Sequence, residues 1–394
     1  MPIQERCTRT GRVLCVAVVA VLLLLAAHGW ATTDDNEAAG AKPAPHPISI
    51  AKEVAIANDY LFGRGGVAQD SKKAAYWLEK AAGSGAPEAQ MELGYFYETG
   101  IGVTRNMETA ARWYRLAAYG GLSYAKASLG ILYFWGTGVP ENKETAARFF
   151  LEAAQKGIGL AAYQLGAMYA AGAGVPRDME TAELWYEKGV KLHNPQAEHQ
   201  LGLLYFNGAD HKVDLRKSES LLRSSASKGF VPAMHSLGMF LTLHPDRAKF
   251  QGEGVQLLES AARAGMWRSS EVLGVMARDG NETRKDDQSA YYRFRIASLQ
   301  GGDQEQKRLE GELQRLAAGI DPSTISALDS EAQAWYQNHN LMLEFAYKKD
   351  GRAQYPVSAL GVPKQGTHQL QLYSFLPDER TTDRGVESAN VLVK

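Results

Sequence analysis

Apolar residues recur along this chain three and four residues apart, which is the spacing of a helix that buries one face. The trio Ala89, Leu93 and Tyr97 is a clear example, and its leucine is followed by Gly94. This Leu-Gly pair returns every 36 residues, as Leu93-Gly94, Leu129-Gly130, Leu165-Gly166, Leu201-Gly202, Leu237-Gly238 and Leu273-Gly274. A fixed period of this size predicts a solenoid of repeated helical units.

Each unit also contains the signals for a turn and a second helix. The motif Gly100-Ile101-Gly102-Val103 follows the first helix, and glycine suits the left-handed conformation that ends a helix because it has no Cβ. An Asp or Asn stands three residues after the valine, where its side chain can cap the next helix. These predicted caps are Asp70, Asn106, Asn142, Asp178, Asp214 and Asp286. Because Ala110, Trp113 and Ala117 then follow at helical spacing, each unit is predicted to be an antiparallel pair of helices.

The glycine of the Leu-Gly pair is unusual inside a helix. Glycine costs about 1 kcal/mol relative to alanine at such a position. Its return in six units therefore predicts that a neighbouring backbone comes too close for a methyl group. The small pair Ala117-Ala118 on the second helix is the partner that we expect for this contact.

The whole pattern resembles a known repeat. It reads A-x-x-x-L-G-x-x-Y, then G-x-G-V, an Asp or Asn cap, and A-x-x-W-x-x-x-A-A-x-x-G, over roughly residues 51–302. This is similar to the Sel-one-like repeat (SLR), a branch of the tetratricopeptide superfamily. The resemblance implies an all-α fold, a right-handed α/α solenoid of about seven repeats with a C-terminal helical cap. It also implies a concave binding face and scaffold or adaptor roles, without a shared catalytic centre.

The repeats and their flanks divide the chain. We place the solenoid at residues 50–302, with repeats near 50–85, 86–121, 122–157, 158–193, 194–229, 230–265 and 266–302. Residues 303–347 lack the motif but keep helical spacing, as in Leu309, Leu313 and Leu316, so they are predicted to cap the open end of the stack. The periodicity then stops, and we expect the tail, 348–394, to be largely disordered.

The N-terminus has the layout of a secretory signal peptide. Arg6, Arg9 and Arg12 precede an apolar run from Val13 to Ala27, and small residues follow. We predict cleavage near Ala31, a flexible Pro-rich spacer at 32–49, and no membrane span after cleavage. An uncleaved signal anchor is the alternative, although the run is shorter than the roughly 20 residues that span a bilayer. The expected location is the periplasm or the outside of the cell.

Composition adds two limits. The formal net charge of −1 gives no indication of binding to nucleic acid or to an anionic membrane. Both cysteines, Cys7 and Cys15, lie in the predicted signal peptide, so the exported chain would contain no disulfide and would depend on helix packing. We expect a monomer without a cofactor.

Motifs that could carry chemistry are weak. Ser123 and Lys126, and Ser225 and Lys228, match the S-x-x-K pattern of penicillin-recognising enzymes, but the S-D-N and K-T-G companions of that site do not occur. His199 and His235 stand at equivalent positions of neighbouring first helices, about 10 Å apart by ordinary helix packing. That separation is too large for two ligands of one metal without a third group. We therefore predict no catalytic residue, no metal site and no enzymatic activity.

The positions that vary between units are the better guide to a ligand. Position 95 and its counterparts stay apolar and are assigned to packing between repeats. Positions 88, 91 and 98 place aromatic and histidine residues in the middle units, and the predicted partner-binding residues are Tyr124, Phe134, Tyr163, His199, Phe206 and His235. An apolar centre with a polar rim is typical of a protein-binding surface. Burial of the same residues by neighbouring helices is the alternative.

We accordingly predict an exported scaffold or adaptor that binds a partner protein or peptide in the cell envelope or secretory compartment, on the concave face of the solenoid. The alternative from another class is a regulator or accessory factor of cell-wall peptidoglycan turnover. No residue pattern supports direct catalysis in either case.

Overall fold

The computed structural model describes residues 49–208, 213–250, 252–280 and 285–339. Within these ranges the chain forms fifteen α-helices, one short 3-10 helix at Pro245–Arg247 and no strand. The helices are α1 Ile50–Phe62, α2 Ser71–Gly83, α3 Pro87–Thr99, α4 Met107–Tyr119, α5 Ser123–Trp135, α6 Lys143–Gln155, α7 Gly159–Ala171, α8 Met179–Lys191, α9 Pro195–Asn207, α10 Leu215–Ser227, α11 Val231–Leu243, α12 Glu253–Arg263, α13 Trp267–Asp279, α14 Asp287–Ala317 and α15 Pro322–His339. The predicted signal peptide and tail lie outside the described residues, as do all but the last residue of the spacer.

The helices pack in sequence order. Each odd-numbered helix pairs with the even-numbered helix that follows it, from the pair α1 and α2 to the pair α13 and α14. The second helix of each pair also packs against the first helix of the next pair. In addition, α7 contacts α9 directly. Contacts limited to neighbouring units define a solenoid, so the predicted all-α solenoid fold is confirmed. None of these helices is both long enough and apolar enough to span a membrane.

Local chemistry sets the helix ends. Each of the six predicted Asp and Asn caps accepts a hydrogen bond from a backbone N–H in the first turn of its helix, at 2.7–3.1 Å. At the other end, Gly100 closes α3 with a φ of 80°, in the left-handed region that favours glycine. The prediction of a capped helix pair joined by a glycine turn is confirmed in repeats two to four, whose turns lie wholly within the described residues.

The Leu-Gly glycine makes room for an aromatic ring in four of the six units and for a leucine in the other two. A Cβ on Gly94 would lie 2.6 Å from the Tyr114 ring, and one on Gly130 would lie 2.6 Å from the Phe150 ring. The ring belongs to the second helix of the same pair. The predicted contact with Ala117-Ala118 was therefore wrong, because the atoms nearest to the glycine come from the residue one turn earlier.

The second glycine of the turn sets the spacing between units. A Cβ on Gly102 would collide with the backbone carbonyl of Ser71, at the start of α2 in the preceding pair. Gly138 meets the carbonyl of Met107 in the same way, at the start of α4. Each turn thus rests directly on the preceding unit, which only a residue without a side chain allows.

Repeat six lacks the glycine turn and uses ion pairs instead. Arg223 of α10 contacts Glu253 at 2.6 Å and Glu219 at 2.9 Å, and it also donates to the carbonyl of Arg247. Arg247 contacts Glu219 in turn, at 3.1 Å. We call Arg223, Glu219, Glu253 and Arg247 the repeat-six network. It ties α10 to the segment that replaces the missing turn.

The repeat period continues beyond the seventh pair. Helix α14 is interrupted at Gly302, where φ is 75°, and its second part carries Leu309, 36 residues after Leu273. Leu309 is buried with Leu313 and Leu316, in a cluster that includes Val275 of α13. The second part of α14, together with α15, is therefore an eighth helix pair without the Leu-Gly motif.

Candidate partner-binding site

An apolar opening lies between α5 and α7. It has an empty volume of about 400 Å³, which includes its open solvent side. The lining residues are Ile131, Phe134, Trp135, Phe150, Gln164, Ala167, Met168, Ala171 and Ala173. We call this opening the slot. No ionisable side chain lines it, so it suits an uncharged group.

The slot exists because two neighbouring units differ in side-chain volume. Repeat three has Ile131, Phe134 and Trp135 at three positions of α5, whereas repeat four has alanine at all three equivalent positions, which are 167, 170 and 171. The bulky side chains of one helix therefore face a helix that has almost no side chains there. Successive helices stack closely, so this mismatch leaves a gap rather than a packed seam.

Among the predicted partner-binding residues, Phe134 lines the slot. Its ring is partly buried and packs edge-to-face on the Trp135 ring, with the centroids 5.0 Å apart. The Trp135 side chain remains 37% exposed. Tyr124 is also exposed, at 47%, but it lies at the start of α5 and is not part of the lining. Whether either residue binds a partner stays a prediction.

Two predicted partner-binding residues are inaccessible. Tyr163 is 1% exposed and His199 is 4% exposed, because position 91 and its counterparts turn toward neighbouring helices in these units. Phe206 is partly buried against Phe240, with the ring centroids 5.8 Å apart. Tyr163 and His199 must therefore be removed from the predicted surface, and the alternative interpretation, burial by neighbouring helices, is correct for both.

The two histidines join successive first helices. His199 of α9 shares a hydrogen bond with Ser236 of α11 at 2.9 Å, and partly buried His235 of α11 shares one with Ser269 of α13 at 2.8 Å. Burial lowers the pKa of His199 to about 3, with a further contribution from His235. Burial also lowers the pKa of His235 to about 4, with a further contribution from Arg268. Both side chains are neutral at pH 7.

The S-x-x-K lysines have other partners. Lys126 pairs with Glu152 at 2.5 Å, and Lys228 pairs with buried Glu198 at 2.5 Å. Ser225 donates to the carbonyl of Pro195 at 2.6 Å. These contacts join the two helices of one unit and leave no serine–lysine pair in either motif. Among the residues that the structure describes, no three His, Cys, Asp or Glu side chains are placed to hold a metal ion.

Several slot residues were missed by sequence reasoning. Position 95 and its counterparts were assigned to packing between repeats, yet Ile131 and Ala167 belong to this series and line the slot. Trp135 and Gln164 were not considered. The signal that could have found the slot was the replacement of three bulky residues by three alanines between adjacent units.

Comparison with known families agrees with this architecture. The family model described as the Sel1 repeat matches residues 54–85, 87–122, 123–158, 159–194 and 195–230. These are the first five predicted repeats, and the slot lies between the third and the fourth. The match ends where the repeats diverge from the pattern. No curated protein matches the sequence.

Solved structures also match this chain. A Sel1 repeat protein from Oxalobacter formigenes is 27% identical, with 62% of this chain and 98% of that chain covered and a TM-score of 0.56. A protective antigen of uropathogenic Escherichia coli that displays an SLR fold is 20% identical, with 78% and 73% covered and a TM-score of 0.48. A Sel1 repeat protein from Klebsiella pneumoniae is 19% identical, with 48% and 92% covered and a TM-score of 0.33.

Proposed function

Since this chain is a member of the Sel1 repeat proteins, we propose that it is an exported protein-binding scaffold and that its partner inserts an apolar side chain into the slot. Sel1 repeat proteins generally mediate protein–protein interactions and are typically non-catalytic. A solenoid suits this role because its stacked helices present one continuous surface.

The slot is the observation that supports this site. Binding energy at protein interfaces concentrates in a few aromatic and arginine residues around well-packed pockets. Phe134 and Trp135 supply two adjacent aromatic side chains, and the alanines opposite them leave the space that a partner side chain would fill. Full burial of one large apolar side chain contributes about 1.5–3 kcal/mol, and this is the upper limit for the open slot.

Export is supported by the N-terminal pattern of three arginines followed by an apolar run and small residues. We therefore place the partner in the periplasm or outside the cell. The protein recovered from that compartment should begin near Thr32 when its N-terminus is sequenced. A chain that is recovered only with its first residues intact would contradict export by cleavage.

A substitution that fills the slot tests the proposed site. Ala171→Trp would occupy the space opposite Trp135, and we expect capture of the partner from a cell-envelope fraction to fall at least about tenfold, with the helical circular dichroism signal unchanged. Asn207→Trp is the matched control, because residue 207 is the exposed equivalent one repeat later and does not line the slot. Equal capture by wild type and Ala171→Trp would contradict the site. Reduced capture by Ala171→Trp, with the partner still bound stoichiometrically by Asn207→Trp, would support it.

A further inference from the structure

Two cations lie at the turn end of the slot. The first is Lys143, whose amine is 5.6 Å from the centroid of the Phe134 ring. The turn after α7 rests on the same residue, since a Cβ on Gly174 would lie 2.5 Å from the Lys143 carbonyl carbon. Lys143 also pairs with Glu141 at 3.3 Å, but both side chains are largely exposed. An exposed pair of this kind is worth little, so the amine can exchange partners.

The second cation is Arg177. Its Nε–H donates to the carbonyl of Ala170 at 3.2 Å, which holds the guanidinium at the end of α7, and its Cβ lies next to Gly172, between Ala171 and Ala173 of the slot lining. The side chain is exposed, and no carboxylate in the described ranges lies within ion-pair distance of it. The terminal N–H groups of the fork are therefore directed to solvent. A guanidinium in this position can bind a carboxylate through two parallel hydrogen bonds.

The slot itself contains one polar side chain, the carboxamide of Gln164. This residue is partly buried, and it makes no hydrogen bond to another residue in the part of the chain that the structure describes. A carboxamide offers both donors and an acceptor. It can therefore bond the main chain of a segment that lies across the slot, without adding charge to the apolar walls.

From this arrangement we infer that the slot and its two cations bind an extended segment of the partner in which a large apolar residue and an Asp or Glu stand two residues apart. The inference rests on the proposed function and adds the chemistry of the partner. Side chains two residues apart lie on the same side of an extended chain, about 7 Å from each other. The apolar side chain enters the slot, the carboxylate pairs with Arg177 and Lys143, and Gln164 bonds the main chain between them.

The test uses a fluorescein-labelled peptide, Ser-Glu-Ser-Phe-Ser-Glu-Ser, with an amidated C-terminus so that the only carboxylates of the peptide itself are side chains. The label, which has a carboxylate of its own, is the same in every version. Binding is followed by fluorescence anisotropy at low and at moderate salt. We expect the glutamine version of the peptide to bind about tenfold more weakly, and the version with alanine in place of phenylalanine to lose binding. Added salt should weaken the glutamate peptide more than the glutamine peptide.

Arg177→Gln alone should reduce the difference between the glutamate and glutamine peptides, because Lys143 remains. The double variant Arg177→Gln and Lys143→Gln should remove it. Arg105→Gln is the matched control, since Arg105 occupies the equivalent position in repeat two and donates to the carbonyl of Glu98 in the same way, but it does not flank the slot. It should leave both affinities unchanged.

Each outcome has a separate meaning. Equal binding of the two peptides overturns the inference and leaves the slot as a site for apolar groups. If neither peptide binds although Ala171→Trp abolishes capture of the natural partner, the inference fails while the proposed function stands. If neither peptide binds and Ala171→Trp captures the partner normally, both fail.

Discussion

At the scale of single residues, the ring that faces Gly130 explains why glycine stands there. Gly130 lies in the middle of α5, where alanine would be the better helix former by about 1 kcal/mol. The Phe150 ring occupies the space where a Cβ would be. The packing of a large ring against the helix backbone therefore offsets the lower helix propensity of glycine.

We expect Gly130→Ala to lower the free energy of unfolding by about 1–2 kcal/mol, because overpacking costs more than the gain in helix propensity. Gly311→Ala is the control. Gly311 also lies inside a helix, but nothing lies within 4 Å of the added Cβ, so this substitution should stabilise the protein by about 0.5–1 kcal/mol. Urea denaturation measures both. A stabilising Gly130→Ala would show that the Phe150 ring moves aside at little cost.

At the scale of the elements, repeat six shows how a turn can be replaced. In repeats two to four, a glycine turn rests on the preceding unit. In repeat six, the repeat-six network makes the equivalent connection through partly buried charges. The hydrogen bond from Arg223 is the largest cause of the lowered pKa of Glu253. The pair therefore stabilises the fold above the normal pKa of glutamate, and this contribution is lost as the pH falls through the lowered value.

Arg223→Gln removes the centre of this network. We expect a loss of about 1–3 kcal/mol at pH 7, because Glu253 loses its ion pair and Glu219 keeps only Arg247. Hydrogen exchange should accelerate in α12, while the amides of α5 should keep their protection. The exposed residue Arg216 of the same helix provides the control, and Arg216→Gln should change stability by less than about 0.5 kcal/mol. Equal effects of the two substitutions would exclude a special role for the network.

At the scale of the whole molecule, the buried apolar residues of the described ranges fall into separate clusters. The largest runs from α4 to α9, and another begins in α10 and continues through α11. Between them repeat five carries buried polar residues, among them Glu198, His199 and Ser218. The hydroxyl of Ser218 is buried and makes no hydrogen bond within the described ranges. Each repeat is stabilised by its contacts with the neighbouring repeats. We therefore expect unfolding to begin at repeat five, the junction between the two clusters.

Low pH should destabilise the part of the solenoid around this junction. The pKa values of His199 and His235 in the folded state, about 3 and about 4, lie below the ordinary value of 6.5. The unfolded chain therefore takes up protons first, and the stabilisation is complete above pH 6.5 and is lost as the pH falls toward the folded values. At pH 5 each histidine costs up to about 2 kcal/mol relative to neutral pH.

We expect α9, α11 and α13 to lose hydrogen-exchange protection between pH 7 and pH 5, before α5 and α7 do. The double variant His199→Gln and His235→Gln should flatten the dependence of stability on pH. His193→Asn, which changes an exposed histidine, should leave it unchanged. Parallel stability curves for wild type and the double variant would contradict this role of the two histidines.

The sequence by itself determined the repeat period, the helix pairs and their ends. These features depend on interactions within a few residues of the chain, such as the hydrogen bond that the Thr109 N–H donates to Asn106 or the left-handed conformation of Gly100. They recur because the pattern recurs. Leu309 continues the period as well, but the prediction assigned it to a cap because the Leu-Gly motif is absent there. The signal peptide, the spacer and the tail remain predictions, since they lie outside the described residues.

Only the tertiary structure decided which side chains are available. Tyr163 and Tyr124 looked alike in the sequence, yet one is buried and the other exposed, because exposure depends on the helices that pack from the next unit. The slot depends on two repeats at once, since alanines in α7 open a space only where large residues of α5 stand opposite. Volume and accessibility are properties of the packed stack, and a pattern read along one helix does not contain them.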